Sequence, residues 1–161
     1  MPLSKFITQL SSDYPDFHFV YGKRFSFRPP KTIVIGPDEG VNTPLLALHE
    51  LGHALSKKYQ YSLSVERLQI ERMAWDIAKK VLEDYKKLQS GDLKKLSPFA
   101  PRGPLLSDLE LPLWDEDFVE DNLDSYRDWL HHKSKCPTCG LTMYQDADQK
   151  WCCPYCHQFK S

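Results

Sequence analysis

His49-Glu50-Leu51-Gly52-His53 places two imidazoles four residues apart, with a carboxylate beside the first. Positions i and i+4 share a helix face, so both rings can reach one metal ion, while Glu50 sits beside the ion rather than on it. A carboxylate there can take a proton from an attacking water and pass it to a leaving amine, the general-base task in metal-assisted hydrolysis. Leu48, Leu51, Ala54 and Leu55 flank the pattern with apolar side chains, so this helix is expected to be buried. Gly52 costs about 1 kcal/mol relative to Ala inside a helix, which points to another element passing close by.

Catalytic zinc usually takes three protein ligands and keeps one open position. No histidine follows His53 until His131, so the third ligand is sought among carboxylates of the next helix: Glu66, Glu71 and Asp76. Glu71 is best placed, because it shares a face with Ala74 and Ala78, small residues that let the second helix lie close against the first. Glu66 falls in the first turn, where acidic residues suit the helix dipole. Asp76 lies on another face and has a shorter reach.

A second chemical unit closes the chain. Cys136-Pro137-Thr138-Cys139 and Cys153-Pro154-Tyr155-Cys156 are two C-x-x-C knuckles with 13 residues between them. Four thiolates so spaced can wrap one zinc in a closed, structural site, a zinc ribbon that folds only with metal. Residues 141–151 should form the intervening hairpin, turning near Asp146-Ala147-Asp148. Cys152 is left over, and His157 is a weaker alternative ligand. All five cysteines lie between positions 136 and 156. That clustering favours local metal binding in a reducing, cytoplasmic setting over a scattered disulfide framework.

The elements that must position these groups read as mixed α and β. Residues 3–10 suit a short helix. Residues 17–21, 25–27 and 32–35 are aromatic or β-branched runs bounded by Pro and Gly, as strands are. Thr32-Ile33-Val34-Ile35 is a candidate sheet edge on which an extended substrate could add as a further strand. The first metal helix should start at Asn42 or Thr43, with Pro44 at its first position, and reach about Tyr59. A second helix should run from Ser62 or Ser64 to about Leu88, because Ile70, Ala74, Ile77, Val81, Tyr85 and Leu88 recur at helical spacing. Residues 115–132 suit a third, acidic helix with Phe118, Leu123, Tyr126 and Leu130 available to pack.

His49-Glu50-Leu51-Gly52-His53 followed by Glu71-Arg72-Met73-Ala74-Trp75-Asp76-Ile77-Ala78 resembles the zinc peptidase domain of the ImmA/IrrE type, frequent in bacteria and their phages. That family shows HELxH and then Glu-x-x-Ala, usually followed by Asn or Asp and by another Ala three residues later. The likeness covers roughly residues 1–90. It implies a minimal zincin-like domain of α+β class, with His49, His53 and Glu71 as zinc ligands and Glu50 as catalytic base. Trp75 stands where the family usually has Asn or Asp, and Lys57 where many members have a further histidine.

The 161 residues divide on this reading into a metallopeptidase domain (1–90), a Pro-rich linker with the acidic helix (91–132) and the zinc ribbon (133–161). No apolar run approaches the roughly 20 residues a bilayer span needs. Residues 1–12 lack the apolar stretch of a secretory signal, so no membrane partner is expected. The net charge of −1 conceals blocks: residues 1–106 carry 16 basic and 11 acidic groups, and residues 107–128 carry one basic and nine acidic groups. The acidic block can serve as a partner-binding segment, as a cover over the basic first half, or as a solvated helix.

Together these features point to a zinc-dependent metallopeptidase with one catalytic and one structural zinc, a protein or peptide substrate, and a ribbon that selects substrate or partner. Lys133, Lys135, Lys150 and Lys160 with Tyr144, Trp151 and Phe159 permit nucleic-acid contact by the ribbon, although the acidic block beside it would repel phosphate. The competing expectation is a non-catalytic zinc-binding regulatory protein or DNA-associated adaptor, in which the first zinc is structural. Glu50 discriminates the two, since a purely structural site has no use for a base.

Overall fold

A continuous apolar run without alternation suits a strand covered on both faces, whereas alternating or charged runs suit edges. Residues 32–35 have the first character, and they form the centre of a three-stranded sheet. The computed structural model describes residues 2–103 and 109–157 and the backbone of 159–160. Pro104, positions 107–108 of the acidic block and the side chains of Phe159 and Lys160 lie outside the described residues. Within them the chain is of mixed α+β class, with four helices and two small sheets.

The first sheet contains β1 (His18–Tyr21), β2 (Ser26–Arg28) and β3 (Thr32–Ile35) in the order β1-β3-β2. Strand β1 runs parallel to β3, with Phe19 opposite Ile33, and β2 runs antiparallel, with Phe27 opposite Ile33. The expectation that Thr32–Ile35 forms the open edge is therefore corrected. Both sides of β3 are already paired, and Ile33, Val34 and Ile35 are buried. The edge beside the cleft described below is β2.

Helix α1 (Leu3–Asp13) packs on β1 and on α2 (Thr43–Ser56). Helix α2 lies between the sheet and α3 (Ser64–Gln89), and its mid-section is buried nearly all round. Pro44 occupies its first turn, and it ends at Lys57, which turns left-handed at φ 55°. Asn42 does not cap α2 through its side chain. Its amide instead donates to Asp115 Oδ2 at 2.8 Å, tying the start of α2 to the start of α4 (Glu116–Ser134). Phe6, Leu10, Ile33, Ile35, Leu48 and Trp75 are among the fully covered side chains of the shared core.

Gly52 is where α2 and α3 come closest. A Cβ built there would lie 2.1 Å from the Ala74 carbonyl oxygen. Backbone cannot move aside as a flexible side chain can, so Gly52→Ala should destabilise the fold by about 1–3 kcal/mol. A calorimetric melt checks this, and an unshifted midpoint would refute so tight a contact.

Helix α4 is the acidic helix, and it packs against α3. Asp115 caps it by accepting the Phe118 N–H at 2.9 Å. Glu116 and Asp117 lie in its first turn and His131, His132 and Lys133 in its last, both favourable to the helix dipole. Val119 and Leu123 are buried in the same core as α1, α2 and α3, together with Leu109. Lys79–Glu116 at 3.0 Å and Arg72–Glu120 at 2.6 Å also bridge α3 and α4. Those pairs are solvent-exposed and contribute little, whereas each buried aliphatic side chain is worth about 1.5–3 kcal/mol. Of the three roles open to the acidic block, its described part takes that of a cover on the first half.

The C-terminal unit is a small antiparallel sheet of β4 (Tyr144–Gln145), β5 (Trp151–Cys152) and β6 (Phe159–Lys160) in the order β4-β5-β6. Asp146 Oδ1 accepts the N–H groups of Asp148 and Lys150 at 3.0 and 2.9 Å, which closes the turn where it is expected. Cys136, Met143, Trp151 and Cys153 form a separate small core, with Leu130 from α4 against it. The unit is tied to the first half where Gln145 Oε1 accepts the Ser64 N–H of the first turn of α3 at 2.7 Å. Among the described residues, no helix is long and apolar enough to cross a membrane.

Candidate functional site

The helical spacing of His49 and His53 turns both rings from α2 toward α3, and Glu71 meets them there. His49 Nε2, His53 Nε2 and Glu71 Oε2 form a triangle with every edge 3.1 Å. The other two candidates for a third ligand are engaged elsewhere. Glu66 accepts the Ser62 and Leu63 N–H groups at 2.6 and 3.0 Å, capping α3. Asp76 pairs with Arg72 at 3.4 Å on an exposed face.

The triangle suits a cation better than it suits hydrogen bonds. Burial pushes His49 down to about 4, so at neutral pH its ring is uncharged. Burial opposes charge on Glu71 as well, yet hydrogen bonds from His49 and His53 hold its carboxyl down at about 2. Each Nε2 carries at most one hydrogen and the ionised carboxylate none, so at most two of the three edges can be matched and the third sets two donors or two acceptors against each other. A cation removes that conflict. Tetrahedral zinc with bonds of about 2.0–2.1 Å separates its ligand atoms by roughly 3.3 Å, close to the edges found, and two nitrogens with one carboxylate oxygen form a familiar zinc donor set.

Trp75 supports the site in an unanticipated way. Its ring stacks on His49, with centroids 4.2 Å apart and planes at 24°. Trp114 and Phe118 meet Trp75 edge-on at 6.1 and 6.2 Å. His49 Nδ1 is buried with no hydrogen-bond partner among the described residues. Aromatic packing, rather than the second-ring hydrogen bond usual for a metal-binding histidine, thus orients this ring.

Glu50 lies beside the triangle and is 9% exposed. Burial pushes its carboxyl up to about 7, with His53 acting in the opposite direction. The triangle and Glu50 open on a cleft of about 940 Å³, walled by β2 and the loop before it, by Tyr59 and Tyr61, and by Arg67 and Tyr126. Tyr126 comes from α4. Burial and the Glu71 carboxylate, which its hydroxyl faces, push its pKa up to about 12. Neither Arg67 nor Tyr126 is signalled by spacing in the sequence. Only the packing of α4 on α3 brings them to the cleft.

The four knuckle cysteines also converge. Cys136, Cys139, Cys153 and Cys156 offer sulfurs all within 4.8 Å of one another, and Cys139 and Cys153 are 3.6 Å apart. Bonds of about 2.3 Å to a tetrahedral ion imply roughly 3.8 Å between sulfurs, so this set too is compatible with zinc. Backbone N–H groups of Cys139 and Thr138 hold the Cys136 thiol down at about 6, whereas the neighbouring sulfurs and burial push Cys156 up to about 12, so the four do not ionise together without a cation. Cys152 stands apart, its sulfur 3.7 Å from Asp146 Oδ2. His131, His132 and His157 join neither group, and these two are the metal-capable clusters among the described residues. No protein-family model, curated protein or solved structure matches this chain.

Proposed function

We propose that this protein is a zinc-dependent peptidase of zincin-like type, related to the ImmA/IrrE domain its motifs resemble. His49, His53 and Glu71 would hold the catalytic zinc, and the four knuckle cysteines a structural one. The observation that carries the reading is Glu50: a carboxylate buried beside the donor triangle, facing the cleft and bonded to none of the three donors. A purely structural site gains nothing from such a group and bears the cost of its desolvation.

When bound, zinc supplies Lewis-acid polarisation of a scissile carbonyl and lowers the pKa of water. The chain's own residues do the rest. Glu50 accepts a proton from the attacking water and returns it to the leaving amine. Burial holds its pKa near neutrality, where it can serve in both directions. Stacking by Trp75 keeps the His49 ring from turning away. The unpaired edge of β2 lets an extended peptide add along the cleft as a fourth strand. The ribbon, joined at Ser64 to the helix that carries Glu71, would select substrate or partner.

Metal content and peptide hydrolysis, measured together, test this. Wild type should hold two zincs per chain and cleave members of a peptide pool. Glu71→Ala should hold one and cleave none. A fully loaded wild-type protein that cleaves nothing, itself included, would overturn the proposal.

A further inference from the structure

The walls of the cleft are strongly cationic. Lys23 and Arg24 lie in the loop after β1, Arg28 on β2 and Arg67 on α3, and the carboxylates lining the same space are Glu50 and Glu71. Arg67 differs from the other arginines of the α3–α4 face. Arg72 pairs with Asp76 and Glu120 at 3.4 and 2.6 Å, and Arg127 pairs with Glu120 and Asp124 at 2.8 and 2.6 Å. Arg67 meets no carboxylate among the described residues, although α4 beside it is rich in them. Its guanidinium carbon rests 5.2 Å from the Tyr126 ring centroid and 5.0 Å from that of Trp129. Stacking of this kind fixes the group while leaving its in-plane N–H donors unspent, the geometry that receives a carboxylate in bidentate fashion. Held in this way and bonded to no carboxylate among the described residues, the guanidinium is ready to receive one from a ligand.

Position gives the ligand its place. Arg67 precedes Glu71 by four residues and so lies one turn along the same face of α3, its backbone about 6 Å along the helix from that of Glu71. In an extended peptide that distance is about two residues. The open edge of β2 lines the opposite wall and offers alternating main-chain donors and acceptors, which match an extended peptide in a way that the acceptor-only phosphates of a nucleic acid do not. Lys23, Arg24 and Arg28 add long-range attraction for an acidic segment.

We propose that Arg67 is the carboxylate-binding residue of this cleft, so that the peptide received there bears a carboxylate about two residues from the bond held at the histidine pair. The carboxylate belongs either to an Asp or Glu side chain or to the peptide's own C-terminus. The proposal deepens the peptidase reading and rests on it for the identity of the ligand as a peptide.

The test uses labelled peptides of one apolar frame carrying a central Glu or Gln, each with a free or an amidated C-terminus. Affinity is read by fluorescence anisotropy on the full-length Glu50→Gln protein, which is expected not to cut them, and hydrolysis is read on wild type. A carboxylate probe should bind about tenfold or more tightly than its amide counterpart. That preference should vanish in Arg67→Met, which keeps an apolar stem against the two rings, and should survive in part in Arg67→Lys. A preference that persists on amidation assigns the side chain, and one that amidation abolishes assigns the C-terminus. Equal affinities across the four probes would overturn the proposal, as would a preference unchanged in folded Arg67→Met. Displacement of the Glu probe by a single-stranded oligonucleotide, with steep salt dependence, would overturn it in favour of a nucleic-acid face. An Arg67-dependent preference without any hydrolysis would uphold the carboxylate site and sink the peptidase reading, whereas hydrolysis without preference would do the reverse.

Discussion

Glu50→Gln is expected to leave both metal sites filled and to lower peptide hydrolysis by about 10³-fold or more. The substitution keeps shape and volume and removes only the ability to accept a proton, a contribution typically worth about 10²–10⁴-fold. None of the ligand atoms changes, so zinc content is the control that separates loss of chemistry from loss of the site. The same side chain makes a second prediction for protein held metal-free by a chelator. Glu50 is raised from 4.5 to about 7 by burial, so the fold favours its protonated form. The stability this contributes is complete below the unfolded value near 4.5 and is lost as pH rises through about 7. Gln carries no charge at either extreme. Chelated Glu50→Gln and wild type should therefore melt together near pH 4, diverge between about pH 4.5 and 7 and keep a constant gap above that, with the variant more stable by up to about 3 kcal/mol. Identical melting at pH 8 would mean that this carboxylate is solvated, and undiminished hydrolysis would end its role as base.

Cys153→Ser is expected to unfold the C-terminal unit while sparing the helices before it. Cys136, Met143, Trp151 and Cys153 form the small core of that unit, and two of these four belong to the candidate zinc site. Segments below about 40 residues rarely bury enough apolar surface to fold unaided. A structural zinc contributes roughly 10–16 kcal/mol to folding in such units, so the loss of one thiolate removes most of what holds it together. Amide exchange should then show residues 136–157 unprotected, with α2 still protected and zinc reduced by one per chain. Release of Gln145 from Ser64 should also fray the first turn of α3, at about 1 kcal/mol, the usual scale for a lost cap. Protection retained in the ribbon after metal loss would show instead that packing against the rest of the chain stabilises it.

The first turn of α3 links the two predictions. The helix that presents Glu71 to the histidines begins at a hydrogen bond donated to the ribbon, and the helix that covers it supplies Trp129 and Tyr126 to hold Arg67. Residues 109–132, part of the stretch expected as linker and acidic helix (91–132), thus contribute a wall of the cleft as well as part of the core.

What could be read along the chain was what local geometry dictates. Two histidines a helical turn apart, two cysteine knuckles and the apolar period of α3 each involve residues within a few positions of one another, where backbone geometry alone decides which side chains share a face. The close approach at Gly52 was readable for a similar reason, because a glycine inside a helix is costly without one. The placement of β3 at the centre of its sheet, the stacking of Trp75 on His49 and the entry of Arg67 and Tyr126 into the cleft were decided by tertiary structure. Each depends on how elements far apart in sequence pack, and periodicity carries no information about which faces meet. Trp75 illustrates the division: its place in the motif was visible from the sequence, but its support of the His49 ring by stacking became visible only when α3 was laid against α2.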